Sequence, residues 1–315
     1  GSAQIEGDPA LNLYGVDPRH LALASNGGLT ATVALQPISP AIDAGSDCVL
    51  VNAGCGGVPA LAFPTDQRGA GFARKRGLRV DIGAYEVPRL IVSNTANSGA
   101  GSLRQTIADA AAGDHIGFDP AVFNQARTIA LGGSALVINK SLTITGPGTG
   151  LLTLDAGLGS RHYTIDGNSV QIIGMRLYRG DPGNGVDGGS VLVNSGTTTL
   201  TDVLFAQNRT RNGGCVLTRG TLFGSRIRMT GCTASANGAG LYIDTTSFTD
   251  IADNLIEYNV AAGQYGGIAN LGTLVLRRST LRNNSATRGG GFGNLGTATL
   301  NSVTISSNTA NADGG

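Results

Sequence analysis

The sequence predicts an all-β protein whose larger part is a parallel β-helix, a solenoid of stacked coils. Glycine supplies 50 of the 315 residues without a strict three-residue period, which excludes a collagen-like chain. A Gly-Gly or Gly-Ala-Gly signal recurs, and its last glycine falls at Gly189, Gly214, Gly240, Gly267, Gly291 and Gly315. These positions lie 24 to 27 residues apart, a period typical of solenoid repeats. Short apolar segments bounded by Gly, Asn, Ser and Thr lie between them and predict strands.

Charge and hydropathy exclude two classes of partner. The chain has 22 basic and 21 acidic residues, so no strong field would steer it to nucleic acid or to anionic lipid. No apolar run approaches the roughly 18 residues that a membrane-spanning helix requires. We therefore expect neither a nucleic-acid partner nor a membrane span in this segment.

Residues 1–88 lack the repeat and predict a small, irregular, β-rich module that ends near Pro88 and Arg89. The segment is rich in Gly, Pro and Asp, which favour turns between short strands. Cys48 and Cys55 lie close together, and in an exported protein they would close a small loop as a disulfide. A pair of free thiols is the alternative.

The same module contains a denser set of charged residues than the repeats do. An ion-pair network is favoured for this set, because Arg68 lies two residues from Asp66 and a guanidinium offers several donors to carboxylates. A calcium site is the alternative, and no other cofactor or metal is expected. The candidate residues are Asp43, Asp66, Arg68, Asp81 and Glu86.

One helix is predicted, at about residues 102–112. Ser102 and Gln105 have the spacing of a capping box, in which both side chains satisfy free N–H groups at the helix start. Leu103 begins its apolar face, and Gly113 would end it. An uncovered solenoid exposes apolar core and strand edges, so we expect this helix to cover the first coil.

Residues 89–315 are assigned to the solenoid domain, with less regular coils over residues 128–180. A Gly-Thr turn opens four of the later coils, and Ser247-Phe248 takes its place in the middle one. Positions four, seven and nine residues beyond this turn are mostly apolar, and positions two apart face the same side of a strand. The predicted interior residues are Leu200, Val203, Phe205, Ile227, Met229, Ile251, Ile256, Leu276, Leu281, Leu300, Val303 and Ile305.

Asparagines recur at the predicted coil corners. Asn tolerates the left-handed conformation, and its amides can stack in ladders, so turn chemistry is favoured over ligand binding at Asn208, Asn259, Asn284 and Asn308. Cys232 takes the place of one of these asparagines. A bridge from Cys232 to Cys215 and a pair of buried thiols both remain open.

Several segments resemble modules of bacterial surface proteins. GAGSLRQTIADA, at residues 99–110, resembles the leader of the CSLREA domain, with Gly101 in place of its first Cys, and this likeness implies a right-handed β-helix. GGGFGNLGTATLNSVTISSNTA, at residues 289–310, is similar to repeats of polymorphic outer-membrane-protein and autotransporter-passenger types. NGGLTATVAL, SPAIDAG, TDQRG and VDIGAYE resemble the terminal module of choice-of-anchor Q proteins, which in that family follows a β-helix.

These resemblances imply a structural or adhesive function, as a rigid stalk of an exported bacterial surface protein. Its location would be extracellular or on the cell surface. Its partners would be other surface proteins or copies of itself joined head to tail, with the first module of one molecule covering the last coil of the next. Carbohydrate is a further candidate ligand. The simpler expectation, which we favour, is that the chain is a segment of a longer tandem-repeat protein.

Two other functions are alternatives, and no catalytic residue is assigned. A polysaccharide lyase or hydrolase needs clustered carboxylates, whereas Asp202 and Asp253 occupy one outward position two coils apart, with Arg226 between them. A Thr-x-Thr pattern, as at Thr197 and Thr199, resembles ice-binding faces, although larger side chains interrupt it. We regard an enzyme as the main alternative and an ice-binding face as a minor one.

Overall fold

Short strands dominate the computed structural model, as the brief apolar segments of the sequence predict. It describes residue 13 and the residues 15–26, 28, 30–36, 39–53, 55, 62–70, 72–87, 89–167, 169–183 and 185–313. The repeat glycine Gly315 and the boundary residue Pro88 lie outside this described part. The chain divides into two units, Gly1–Ile91 and Val92–Gly315.

Before residue 89, the described residues of the first unit form two short strands, a turn of 3-10 helix and otherwise turns and loops. Strands β1 (His20–Ala24) and β2 (Thr32–Leu35) form an antiparallel pair. One turn of 3-10 helix, Asp47–Leu50, begins where the Ser46 side chain accepts a hydrogen bond from the Cys48 amide. Strand β3 (Arg89–Val92) lies at the boundary of the two units.

The second unit begins with helix α1 and continues as strands. The helix is α1 (Leu103–Asp109). The earlier strands are β4 (His115–Phe118), β5 (Arg127–Ala130), β6 (Leu136–Ile138), β7 (Leu142–Thr145), β8 (Leu152–Asp155), β9 (Tyr163–Ile165), β10 (Ser169–Tyr178), β11 (Val191–Val193), β12 (Thr197–Ala206), β13 (Arg209–Thr210) and β14 (Val216–Thr218). The later strands are β15 (Thr221–Ser225), β16 (Arg228–Thr230), β17 (Thr233–Ala234), β18 (Leu241–Ile243), β19 (Phe248–Ala252), β20 (Leu255–Glu257), β21 (Val260–Ala261), β22 (Ile268–Asn270), β23 (Thr273–Arg277), β24 (Thr280–Arg282), β25 (Ser285–Arg288), β26 (Phe292–Asn294), β27 (Thr297–Asn301), β28 (Thr304–Ser306) and β29 (Thr309–Asp313).

These strands stack in parallel, one coil upon the next. The longest stack runs β4-β7-β10-β12-β15-β19-β23-β27. A second runs β6-β9-β11-β14-β18-β22-β26, and a third runs β13-β17-β21-β25-β29. Strands β16, β20, β24 and β28 form a further row that continues the second half of β12. The predicted parallel β-solenoid is therefore confirmed.

The register follows the Gly-Thr landmark of the sequence. Thr197 pairs with Thr221, Thr221 with Phe248, Phe248 with Thr273, and Thr273 with Thr297. The substituted turn of the middle coil is thus aligned as predicted, although its sequence is two residues longer at this point. Since a one-residue slip would turn every side chain to the opposite face, this register fixes the interior.

The predicted interior residues of the inner coils are buried. Leu200, Val203, Phe205, Ile227, Met229, Ile251, Ile256, Leu276 and Leu281 are each at most 2% exposed. In the last described coil, Leu300 and Ile305 are each 43% exposed and Val303 is partly exposed. Leu300 and Ile305 continue the columns of Leu276 and Leu281, and among the described residues no further strand pairs with their other side.

The coil corners differ from the prediction in one respect. The left-handed residues are the ones just before the asparagines, at Gln207, Tyr258, Asn283 and Ser307, and Gly231 has the same conformation just before Cys232. The asparagines instead point inward and form a ladder: the Asn259 side chain donates to Asn284 Oδ1, and the Asn284 side chain donates to Asn308 Oδ1, both at 3.0 Å. The ladder prediction holds, while the conformational role belongs to the preceding residue.

Helix α1 is shorter than predicted and its cap is one-sided. Ser102 Oγ accepts a hydrogen bond from the Gln105 amide, but the Gln105 side chain donates to Asp109 instead of returning to the cap. The helix ends at Asp109, with Ala110 as its C-cap, before Gly113. Leu103 is buried, and α1 packs against strand β6 of the first coil.

Candidate functional site

Arg68 organises the acidic residues of the first unit. Its Nε and Nη2 atoms donate to the Asp66 carboxylate at 3.0 and 2.6 Å, and Nη2 also donates to the Glu86 carbonyl oxygen at 2.8 Å. The guanidinium lies over the rings of Phe72 and Tyr85, 4.1 and 3.9 Å from their centroids. Burial raises the pKa of Asp66, but the hydrogen bonds from Arg68 and from the Glu86 amide outweigh it, so this pKa lies below its usual value.

Asp81 and Glu86 extend this cluster with two further buried carboxylates. Asp81 accepts hydrogen bonds from the amides of Asp43 and Val87, each at 2.7 Å. Glu86 accepts from the Asp81 amide at 3.0 and 3.1 Å and pairs with Arg74. Burial, reinforced by the charges of neighbouring aspartates, raises the pKa of Glu86 to about 8, against the lowering effects of the Asp81 amide and Arg74.

Asp43, the last of the five predicted residues, belongs to the same network. One of its oxygens accepts from the Arg79 amide at 3.2 Å, and the other accepts from Arg89. The carboxylate oxygens of the cluster are therefore used by arginines and backbone amides. Across the described residues, no three His, Cys, Asp or Glu side chains are grouped so that they could hold a metal ion. This geometry is that of an ion-pair network which ties loops together.

All four cysteines form disulfides. Cys48 is bonded to Cys55, and Cys215 is bonded to Cys232. The second bridge spans one coil in the solenoid interior, where both cysteines are fully buried. The sequence left this pairing open, because two buried small side chains fit the columns equally well with or without a bond.

Most carboxylates of the coils pair with an arginine of the neighbouring coil. Asp187 accepts from Arg211 at 2.9 Å, 24 residues further along the chain, and Arg209 donates to Asp181 at 2.5 Å across 28 residues. The same relation joins Asp155 with Arg179. These pairs are not among the contacts predicted from the sequence, although their spacing of one coil length is itself a signal that could have found them.

One corner column alternates acidic and basic residues. Arg226 binds Asp202 through two hydrogen bonds of 2.6 and 2.7 Å, and Arg278 binds Asp253 through two of 2.8 and 2.9 Å. All four residues have left-handed backbone conformations. The hydrogen bond from Arg278 and the charges of both arginines hold the pKa of Asp253 below its usual value. Asp202 and Asp253 are thus each paired with an arginine, and they do not form a pair of carboxylates.

Glu257 is the most enclosed carboxylate of the coils. Its side chain is fully buried between Arg228, which approaches to 2.6 Å, and Arg282, which approaches to 2.8 Å. Burial raises the pKa of Glu257, but the hydrogen bonds from Arg282 and Arg228 outweigh burial and lower it overall. A carboxylate held ionised in this way is poorly suited to donate a proton.

The histidines occupy unrelated places. His20 is exposed in β1, and the His115 ring lies 2.9 Å from the Thr145 hydroxyl. His162 is fully buried, with Nδ1 2.9 Å from the Ser190 hydroxyl and Nε2 3.0 Å from the carbonyl oxygens of Leu154 and Tyr178. Burial lowers the pKa of His162 to about 4.

The outward side of the longest stack forms a regular surface across five coils. We call it the threonine–phenylalanine face and define it by the outward residues of β12, β15, β19, β23 and β27: Thr197, Thr199, Thr201, Thr221, Phe223, Ser225, Phe248, Asp250, Ala252, Thr273, Val275, Arg277, Thr297, Thr299 and Asn301. Phe223 and Phe248 are each 38% exposed and meet edge to face, with their ring centroids 6.0 Å apart. In the sequence, both rings are recognisable only as interruptions of the threonine pattern.

A shallow polar groove lies elsewhere on the second unit. It has a volume of about 360 Å³ and is lined by Asp181, Gly183, Arg209, Thr210, Arg211, Thr233, Ala234 and Ser235. Its two arginines are occupied by Asp181 and Asp187. The groove therefore offers hydroxyl groups but no unpaired charge.

Comparisons with protein-family models, with curated proteins and with solved structures find no match for this chain. Among the described residues, no helix has the length and apolar character needed to cross a membrane.

Proposed function

We propose that this chain is a rigid structural segment of a protein exported from a bacterium, where it presents a lateral surface outside the cell. The observation that carries the proposal is the pairing of coil carboxylates with arginines of neighbouring coils. Each such pair joins two coils, as does each step of the asparagine ladder. In a solenoid, stability is approximately a sum of such interfaces between neighbours, so each pair adds to the stability of the whole stack.

Export is supported by chemistry and by resemblance. Disulfides persist in oxidising compartments and are rare in the cytosol, and this chain has two. The likeness of GAGSLRQTIADA to CSLREA leaders, and of residues 1–88 to anchor-Q modules, supports the same location. Head-to-tail association of copies stays a prediction, which sedimentation over a wide range of concentrations would test.

The arginine-paired carboxylates of the coils favour a structural function over a polysaccharide-active enzyme built on the β-helix. Acid–base chemistry near neutral pH needs a carboxyl group with a raised pKa or a free carboxylate in a cleft. The pKa values of Asp155, Asp187, Asp253 and Glu257 are instead lowered, because the hydrogen bonds and charges of arginines outweigh any burial.

Mechanical unfolding of the full chain between two handles tests this proposal. We expect stepwise extension in units of one coil, which for 24 to 28 residues corresponds to about 80–100 Å of chain. Reduction should lengthen the step of the coil that Cys215 and Cys232 close. Extension at low force without steps would contradict a rigid segment, and release of reducing sugars from a panel of polysaccharides would favour the enzyme.

A further inference from the structure

We propose that the threonine–phenylalanine face binds a neutral polysaccharide chain, with Phe223 and Phe248 as the platform beneath the sugar rings. This proposal rests on the proposed function, since it names the class of ligand that the lateral surface of the rigid segment would bind.

The two phenylalanines are anomalous for their position. They project from the outward side of two adjacent strands, β15 and β19, where most neighbouring side chains are hydroxyl-bearing. Each ring leaves more than a third of its surface in water, and the edge-to-face contact holds the two rings in one arrangement. A pair of ordered, half-exposed aromatic rings suits a ligand with flat apolar patches, such as the C–H faces of sugar rings.

The surroundings of the rings suit the other half of a sugar, its hydroxyl groups. Along one column Thr199 lies one coil below Phe223, and along the other Thr221 and Thr273 flank Phe248. Each threonine hydroxyl supplies one donor and two acceptor positions. Aromatic surface bordered by a few polar groups is the usual lining of a small-molecule site.

The charge of the face selects a neutral ligand. Its outward residues include one acidic and one basic side chain, Asp250 and Arg277, and these form an ion pair of 2.6 Å. Neither charged side chain is therefore free to pair with an acidic polysaccharide or with a cationic partner. The ion pair still provides polar atoms beside Phe248 for hydrogen bonds to hydroxyl groups.

The shape of the face suits a linear polymer. Equivalent residues recur on successive strands with the strand spacing of about 4.8 Å, so the columns form parallel tracks across the stack. The strands are held in register by the hydrogen-bonded ladder. A preformed surface loses little conformational entropy on binding, which helps a weak, repeated contact.

The test is affinity electrophoresis of the full chain in native gels that contain soluble neutral polysaccharides, namely hydroxyethylcellulose, xyloglucan, galactomannan and starch. A gel with polygalacturonate serves as the acidic comparison. The variant is Phe223→Ala/Phe248→Ala, and Phe63→Ala, which removes an exposed phenylalanine of the first unit, is the matched control.

We expect at least one neutral polysaccharide to retard the wild-type chain and the Phe63→Ala variant equally. The double variant should bind at least about tenfold more weakly, because two partly exposed rings lose their apolar contact. Circular dichroism of the double variant should remain that of the wild type, since both rings lie outside the core.

Absence of retardation in all four neutral gels would overturn the proposal, as would retardation that the double variant retains. Retardation by polygalacturonate alone would overturn it as well, and so would ice-growth inhibition that depends on the two phenylalanines. Each of these results would leave the rigid segment standing, since mechanical unfolding tests that claim separately.

Discussion

Replacement of Leu276 by alanine tests the interior columns most sharply, because the same column contains an exposed leucine. Leu276 is fully buried between Ile251 and Leu300 of the neighbouring coils, whereas Leu300 is 43% exposed. Leu→Ala in a closed core costs about 3–5 kcal/mol, since a cavity adds to the lost transfer free energy. Full burial of a leucine contributes about 1.5–3 kcal/mol to stability. Leu300 has only a little over half of its surface buried, and its removal leaves no closed cavity, so Leu300→Ala should cost about 1–1.5 kcal/mol.

The assay is unfolding of the full chain by guanidinium chloride, followed by far-UV circular dichroism. Thr299→Ala, at an outward and exposed position, is the control and should change the free energy of unfolding by at most about 0.5 kcal/mol. Equal losses for Leu276→Ala and Leu300→Ala would refute the difference in burial. A loss for Thr299→Ala as large as that for Leu276→Ala would refute the assignment of the columns.

Three further outcomes are expected. Arg226→Asp should place three acidic residues in one column and lower the melting temperature, and about 1 M salt should recover most of the loss by screening; no effect of salt would contradict the alternating column. The pKa of His162 is about 4 when folded and 6.5 when unfolded, so the contribution of the neutral ring to folding stability is complete above pH 6.5 and about 3 kcal/mol is lost as the pH falls towards 4. His162→Gln should flatten that part of the stability–pH curve, and an unchanged curve would argue against burial of His162 as a neutral ring. Replacing Cys215 and Cys232 by serine should cost about 2–4 kcal/mol, and alkylation of the unreduced native chain at either position would contradict the bridge.

The sequence could predict the stack because its period and its strand alternation act together. Counting four residues from the Gly272-Thr273 turn and from Ser247-Phe248, which replaces that turn in the preceding coil, places Leu276 and Ile251 in one column, and the structure pairs them. The same column contains Leu300, which pairs with Leu276 and is nevertheless 43% exposed, because a column gives the direction of a side chain and not what covers its last member.

The candidate contacts were less predictable, since they depend on side chains one coil apart. Asp202 and Arg226 share an outward column, but the column does not say whether the two side chains turn towards each other. In the same way, the repeat pattern shows that Cys232 takes the place of an asparagine. Its bond to Cys215 depends on how far each side chain reaches into the interior of the coil, which the pattern does not show.

The distance between spin labels on cysteines introduced at Thr143 and Thr299 tests the rigid, in-register solenoid most directly. The outward column joins these two positions through six strand pairings, Thr143–Gln171, Gln171–Thr199, Thr199–Phe223, Phe223–Asp250, Asp250–Val275 and Val275–Thr299. The native cysteines are all in disulfides and would not take the label. Six strand spacings of about 4.8 Å predict a single narrow distribution near 29 Å. A broad distribution, or a maximum far from this distance, would contradict a rigid stack in this register.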